Sequence, residues 1–314
     1  MESEVIKQTG KFIDVSEMYT VRNIYLEKAQ KYLRYQGTCQ FSQGSLAHDV
    51  FNSYTKYGMM PEEVYSGKNP DSIHNHKYLV SDLKAYLDSL IKSGSIDPHW
   101  KSEFSSILDE HLGSVLAVFE YEGSTYNANS YAAKYLPIQI VDYVGITSFT
   151  HHPFYKYMVV EVPDNFSDGK YFNLPLDQMI EAINSSLNNG HSVEWDGDVS
   201  EIGFLRRSGF AILSDDTAML RSDPLSATEM MVTQESRQAE FNNYATTDDH
   251  LMHITGMTKS SDNTTYYIVK NSWGEKAGLQ GYLLMSESYL RMKTVSIYVN
   301  KTSISPNLNI LIHD

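Results

Sequence analysis

The chain has 314 residues, 41% apolar and 20% charged, the composition of an ordered globular protein with length for one large domain or two lobes sharing a core. A formal charge of −14 leaves no basic surplus to displace counterions from phosphates, which argues against nucleic acid as a partner. The single cysteine excludes an intramolecular disulfide framework and a Cys-rich metal site, and no run approaches the roughly 18–20 apolar residues of a membrane span.

Met1–Gln8 reads as the end of a helix closed by Thr9 and Gly10, since glycine just past the last periodic residue is a common stop. Ser16 caps a second helix whose Met18, Val21, Ile24, Tyr25, Ala29, Tyr32 and Leu33 recur at three- and four-residue steps. Gly37–Ser45 is a loop carrying Cys39. A third helix spans about Ser45–Tyr57, burying Leu46, Val50, Phe51 and Tyr54, and stops at Gly58 before Pro61. Ser81–Lys92 and Pro98–Leu112 are two more helical patterns.

From Val115 the texture changes. Val115–Tyr121, Tyr157–Val162, Leu251–Met257, Tyr266–Lys270, Tyr282–Ser286 and Val295–Val299 read as strands separated by Gly, Asn, Asp and Ser turns, with one helix, Leu176–Leu187, among them. Helices first and strands later predict an α+β protein, with a helical lobe over residues 1–140 and a lobe rich in antiparallel sheet over residues 141–314.

One constellation carries chemistry. Asn271, Ser272, Trp273 and Gly274 follow the strand Tyr266–Lys270, and His250 opens the strand before it. A cysteine nucleophile needs a base that holds it as thiolate and later protonates the leaving amine, and that base needs a third group to fix its ring. His250 and Asn271 suit the last two roles, because antiparallel pairing would bring a strand's first residue beside its neighbour's end. Trp273 would cover the His–Asn hydrogen bond. A lone histidine near a strand is ordinarily a surface residue or a satisfied core residue; the flanking motif is what moves the reading.

Further blocks lie in order along the chain: Tyr57–Pro61 (YGMMP), Ile146–Tyr155 (ITSFTHHPFY), Glu161–Asn165 (EVPDN), Asn173–Asp177 (NLPLD) and Trp195–Glu201 (WDGDVSE). Together with the Asn-Ser-Trp-Gly segment they make the chain resemble the papain-like cysteine peptidases, in the branch of bleomycin hydrolase and aminopeptidase C, from Met1 to about Lys301. The resemblance implies a two-lobe papain-like fold and a cysteine-type peptidase, an aminopeptidase acting through a thioester intermediate. It implies no metal and no organic cofactor, peptides as substrates, a homo-oligomer and a cytoplasmic location, with an export signal before Met1 left open. His250 matches the catalytic histidine, because the family's His-x-Met pattern has a glycine where Gly256 stands; His253, on the other side of the strand, takes a structural role. Asn271 matches the orienting residue and Trp273 its supporting neighbour. Gly44 and Ser45 fall at a glycine pair against which substrate backbone lies, with Ser45 departing from the pattern.

In that family the nucleophilic cysteine opens the long central helix, whose amides help stabilise the thiolate, and an upstream glutamine completes the oxyanion hole. Matching Gly10, Val15, Ser16 and Glu17 to the segment after that helix places the cysteine roughly eight residues before Met1, for a helix of ordinary length. Cys39 imitates the nucleophile segment superficially, but it lacks the following tryptophan and has no helix starting at it. The chain as given is therefore expected to be inactive by itself. The alternative is a catalytically inactive pseudopeptidase that binds peptides or a protein partner.

Two smaller features complete the reading. His151 and His152, taken as strand neighbours, point to opposite faces with no third ligand spaced to join them. Asp196, Asp198 and Glu201 read as an exposed acidic turn. The tail Ser305–Asp314 matches no family pattern.

Overall fold

The computed structural model describes residues 1–67, 74–261 and 263–313. They form two compact units, one comprising Met1–Ile138 with Pro163–Ser167 and the other Gln139–Val162 with Asp168–Asp314.

The first unit is built on α1 (Glu2–Thr9), α2 (Glu17–Arg34), α3 (Ala47–Tyr57), α4 (His76–Ser93) and α5 (Trp100–Leu112), followed by β1 (Phe119–Tyr121), β2 (Ser124–Tyr126) and α6 (Ala128–Tyr135). Gly10 closes α1 at φ 70°, its N–H donating to the Ile6 carbonyl, and the Ser16 hydroxyl accepts from Tyr19 N at 3.0 Å to open α2. These are the stop and cap that local chemistry dictates. Tyr25, Ala29, Tyr32 and Leu33 are buried along α2, where Tyr32 meets Phe41, which in turn packs edge-on against Phe104.

Two elements differ from the periodicity. α4 begins at His76 instead of Ser81, because the Asn75 side chain accepts from Lys77 N and caps an extra turn. Only Phe119–Tyr121 of the apolar run from Val115 is a strand. Leu116 and Val118 remain exposed, and the hairpin turns at Glu122 and Gly123, both at positive φ, so the pairing is short.

The second unit contains β3 (Tyr143–Thr147), β4 (Lys156–Val159), β5 (Lys170–Asn173), α7 (Leu176–Asn188), β6 (Val193–Gly197), β7 (Phe204–Leu205), β8 (Phe210–Ala211), α8 (Thr217–Ser222), α9 (Gln234–Asn242), β9 (His250–Lys259), β10 (Thr265–Lys270), β11 (Tyr282–Ser286), α10 (Glu287–Lys293), β12 (Thr294–Asn300) and α11 (Pro306–His313). Ten strands form one sheet in the order β4-β5-β3-β12-β6-β9-β10-β11-β8-β7. The pairings are antiparallel except β3 with β5 and β8 with β11.

Met179, Ile180 and Ile183 of α7 pack into a core with Trp195, Ile254, Val269 and Ile297, which Leu308 and Ile312 of α11 join. The chain is thus an α+β protein, helical first and sheet-rich second. β6 escapes a search for apolar runs because Val193 and Trp195 alternate with Glu194 and Asp196. Its two apolar residues face the core and its two acids the other side.

Candidate active site

His250 is the first residue of β9, and Asn271 lies one residue past the end of β10, its antiparallel neighbour. The register between these strands shifts by one residue where Gly256 opposes Ile268 and Ile254 opposes Val269. Such a bulge re-aims the side chains beyond it. The result is a hydrogen bond of 2.9 Å between His250 Nε2 and Asn271 Oδ1.

The Asn271 oxygen also accepts from Ser272 N at 2.7 Å, which fixes the orientation of the amide. The atom facing His250 is then an acceptor, so Nε2 is the donor and carries the proton. In the neutral ring Nδ1 is left with its lone pair, and it has no hydrogen-bond partner among the described residues. Asn271 itself is tied down by its N–H to the Gly281 carbonyl at 2.9 Å, while its buried Nδ2 is unpaired.

Trp273 stacks on the His250 imidazole, centroids 5.4 Å apart and planes 22° from parallel. Phe204 meets the same indole edge-on at 5.9 Å, and the Arg206 guanidinium carbon lies 3.6 Å from the ring centroid. Aromatic and cation–π contacts of this kind hold a ring plane in place. The half-buried indole covers one face of the His250 ring. The sequence carries no local signal for Phe204 and Arg206, because their proximity depends on β7 joining the far edge of the sheet through β8.

The approach to His250 is anchored by two aspartates. Asp198 accepts from Thr247 N at 2.9 Å and from Ser200 N at 2.8 Å, and Asp249 accepts from the Thr247 hydroxyl at 2.9 Å. Burial opposes charge on Asp198, yet these hydrogen bonds outweigh it and hold its carboxyl below the usual range. The acidic trio around Gly197 is therefore not an exposed turn. Asp196 and Asp198 are buried, and Glu201 forms an ion pair with Lys293, which also pairs with Glu240 at 2.6 Å.

His253 lies across the strand from His250, opposite Glu194. Burial, with a lesser contribution from Lys270, pushes its ring down to about 4. It is a neutral, structural histidine over the physiological range.

His151 and His152 differ from expectation. They lie in a turn, not a strand, and their rings approach to 4.8 Å. Both reach Glu161 Oε2, at 3.2 and 3.5 Å, so a third potential ligand is present and the three ligand atoms lie within 4.8 Å of one another. The surroundings of His151 favour hydrogen bonding over metal. Gln238 accepts from Thr150 N through its oxygen, so its amide nitrogen is the group facing His151 Nδ1 at 3.0 Å. That donor makes Nδ1 the acceptor and puts the His151 proton on Nε2, the nitrogen a metal would need bare.

Gly44, Ser45 and Cys39 belong to the first unit. Gly44 has φ 87°, and a Cβ there would fall 1.8 Å from the Asp164 carboxylate. Lys28 Nζ donates to the carbonyls of Ser42, Gln43 and Gly44, so one buried ammonium shapes this loop. Ser45 is half-buried just before α3. Cys39 is in the loop between α2 and α3, not at a helix start, and lines a crevice with Lys28, Lys31 and Phe166.

Residues 120–313 match the Peptidase C1-like family. Aminopeptidase C of Lactobacillus helveticus is 25% identical over 290 residues, which are 81% of this chain and 61% of that protein. Aminopeptidase W of Lactobacillus delbrueckii subsp. lactis is 25% identical over 294 residues, covering 85% of this chain and 64% of its own length. The chain thus spans about six tenths of the length of the curated relatives it matches. Among solved structures, that of PepW from Lactobacillus rhamnosis HN001 (DR20) superimposes with a TM-score of 0.74 at 19% identity, over 98% of this chain and 77% of the other, and shares its fold.

Proposed function

The chain belongs to the Peptidase C1-like family, and from that premise we propose that it serves a cysteine-type aminopeptidase with His250 as acid and base and Asn271 as the residue that orients it. The observation that carries this reading is the His250–Asn271 hydrogen bond, with the proton on Nε2 and a lone pair on Nδ1. A base in that state takes the thiol proton at Nδ1. The thiolate then attacks the peptide carbonyl, the C–N bond breaks as Nδ1 returns the proton to the leaving amine, and water hydrolyses the thioester. Asn271 stabilises the imidazolium through Nε2–H throughout.

Cys39 is not assigned the nucleophilic role. It has no helix N-terminus to stabilise a thiolate. Gly44 and Ser45 are proposed to line the path of the peptide, with Gly44 held in place by Asp164 and Lys28.

Hydrolysis of aminoacyl reporters by the native protein, with and without thiol alkylation, tests the proposal. Alkylation-sensitive release that survives Cys39→Ala supports it. Release abolished by Cys39→Ala moves the nucleophile to Cys39. Peptide binding without release, at micromolar affinity, supports a binding role instead of catalysis.

A further inference from the structure

The crevice beside the His250–Asn271 pair contains a feature that proton transfer does not use. A shallow surface groove is bounded by Asn271, Trp273, Phe204, Tyr282 and Arg206, among others, and among the described residues that line it Arg206 alone is charged. The guanidinium lies flat enough over Trp273 to bring its carbon within 3.6 Å of the ring centroid. Its side chain is exposed and, among the described residues, has no acidic partner. In a chain of net charge −14, Arg206 thus presents an exposed guanidinium against the indole that stacks on His250.

The position of Arg206 is set by backbone, not by chance extension of a loop. It follows β7 directly, and the turn to β8 closes with Gly209 N donating to Leu205 O at 2.9 Å. Gly209 has φ 76°, and a Cβ there would lie 2.7 Å from Leu279 Cγ and 2.8 Å from Leu279 N. Leu284 N donates to the Gly209 carbonyl at 2.9 Å, so the turn is pressed against the loop that follows Trp273.

We propose that Arg206 binds a carboxylate of the peptide, carried by the fragment that leaves with the amine. This inference rests on the peptidase reading. His250 must reach the leaving amine, so the leaving fragment is the part of the substrate nearest the imidazole and the indole that stacks on it, against which Arg206 lies. A bidentate guanidinium there selects peptides whose leaving fragment ends in a free carboxylate or bears an acidic side chain.

The test is calorimetric binding to the 314-residue chain at low salt, with Ala-Gly-Ala as free acid and as C-terminal amide, and Ala-Glu-Ala amide against Ala-Gln-Ala amide. The first pair reports a terminal carboxylate and the second an acidic side chain. At least one carboxylate form is expected to bind about tenfold more tightly than its neutral counterpart. Arg206→Gln should abolish that difference, Arg206→Lys should retain part of it, and Arg207→Gln, one residue along the same turn, should leave it intact. Equal affinity for both members of each pair, or a preference that persists in Arg206→Gln, overturns the assignment while the peptidase reading stands. If no peptide binds at all, the assignment of Arg206 falls, and hydrolysis by the native protein decides the peptidase reading separately.

Discussion

His250 and Asn271 meet at 2.9 Å across the ends of two antiparallel strands, and Ser272 N, donating to the same asparagine oxygen, decides which nitrogen of the imidazole carries the proton. The tautomer of the proposed base is thus set by the backbone amide of the residue that follows Asn271. Nitrogen NMR of ring-labelled protein with a neutral His250 ring should show the Nε2–H form in excess. Asn271→Ala should let the two tautomers approach the mixture of free imidazole, and in an active form of the protein should lower kcat by about 100-fold with little change in KM. An unchanged tautomer would remove Asn271 from the orienting role.

Trp273 covers this pair, and its own plane is held by Phe204 and Arg206. Trp273→Ala should admit water to the His–Asn hydrogen bond and speed exchange of the Nε2 proton by about tenfold or more, whereas Trp273→Phe should have a smaller effect because a flat ring still shields it. Equal proton exchange in all three proteins would mean that the indole only packs.

Glu194 gives a pH signature of the sheet. Both its carboxylate oxygens are buried without a hydrogen-bond partner, and burial, followed by repulsion from Asp248, pushes its pKa up to about 8 from the ordinary 4.5. The unfolded chain therefore loses this proton first as pH rises. Stability from this group is whole below about pH 4.5, declines between there and pH 8, and is level above. Glu194→Gln should remove that slope and stabilise the protein by about 2–4 kcal/mol at pH 8, with little effect at pH 4. Urea denaturation at both pH values measures the difference; a variant no more stable at pH 8 would place the carboxyl in contact with solvent.

Gly44 is constrained twice, by its positive φ and by the Asp164 carboxylate that occupies the direction of a Cβ. Gly44→Ala should cost about 2–4 kcal/mol. Combining it with Asp164→Ala should recover the steric part and not the backbone part, a coupling that a double-mutant cycle reads directly. Additive losses would show that the carboxylate moves aside freely.

Arg237 is buried, has no carboxylate partner among the described residues, and donates to the carbonyls of Ser148, Arg291, Met292 and Thr294. Burial, with Arg291 adding repulsion, lowers its pKa to about 9. Arg237→Leu would strand these carbonyls, and a loss of about 3 kcal/mol or more is expected in thermal or urea unfolding. A loss below about 1 kcal/mol would mean that water replaces the guanidinium.

Local chemistry made much of this molecule legible. Ser16, Gly10 and Gly58 marked helix ends because capping involves residues only a few positions apart. Alternation located β10, β11 and β12 almost to the residue. β6 was not legible, since its acids alternate with its apolar residues and break the apolar run. The fault in reading His151 and His152 had the same origin: pointing apart is a property of strands, and these residues occupy a turn.

By itself, the order of apolar patterns and the spacing of His250 before Asn271, Ser272 and Trp273 determined an α+β chain whose second half brings a histidine to an asparagine, because antiparallel pairing of consecutive strands is a near-neighbour event. Only the tertiary structure decided that Arg206 lies over Trp273, that Glu161 unites two histidines, and that Asp196 and the carboxylate oxygens of Glu194 are buried. Each of these depends on segments far apart in the chain meeting in a sheet whose strand order is not the order of the sequence, and periodicity carries no information about such meetings.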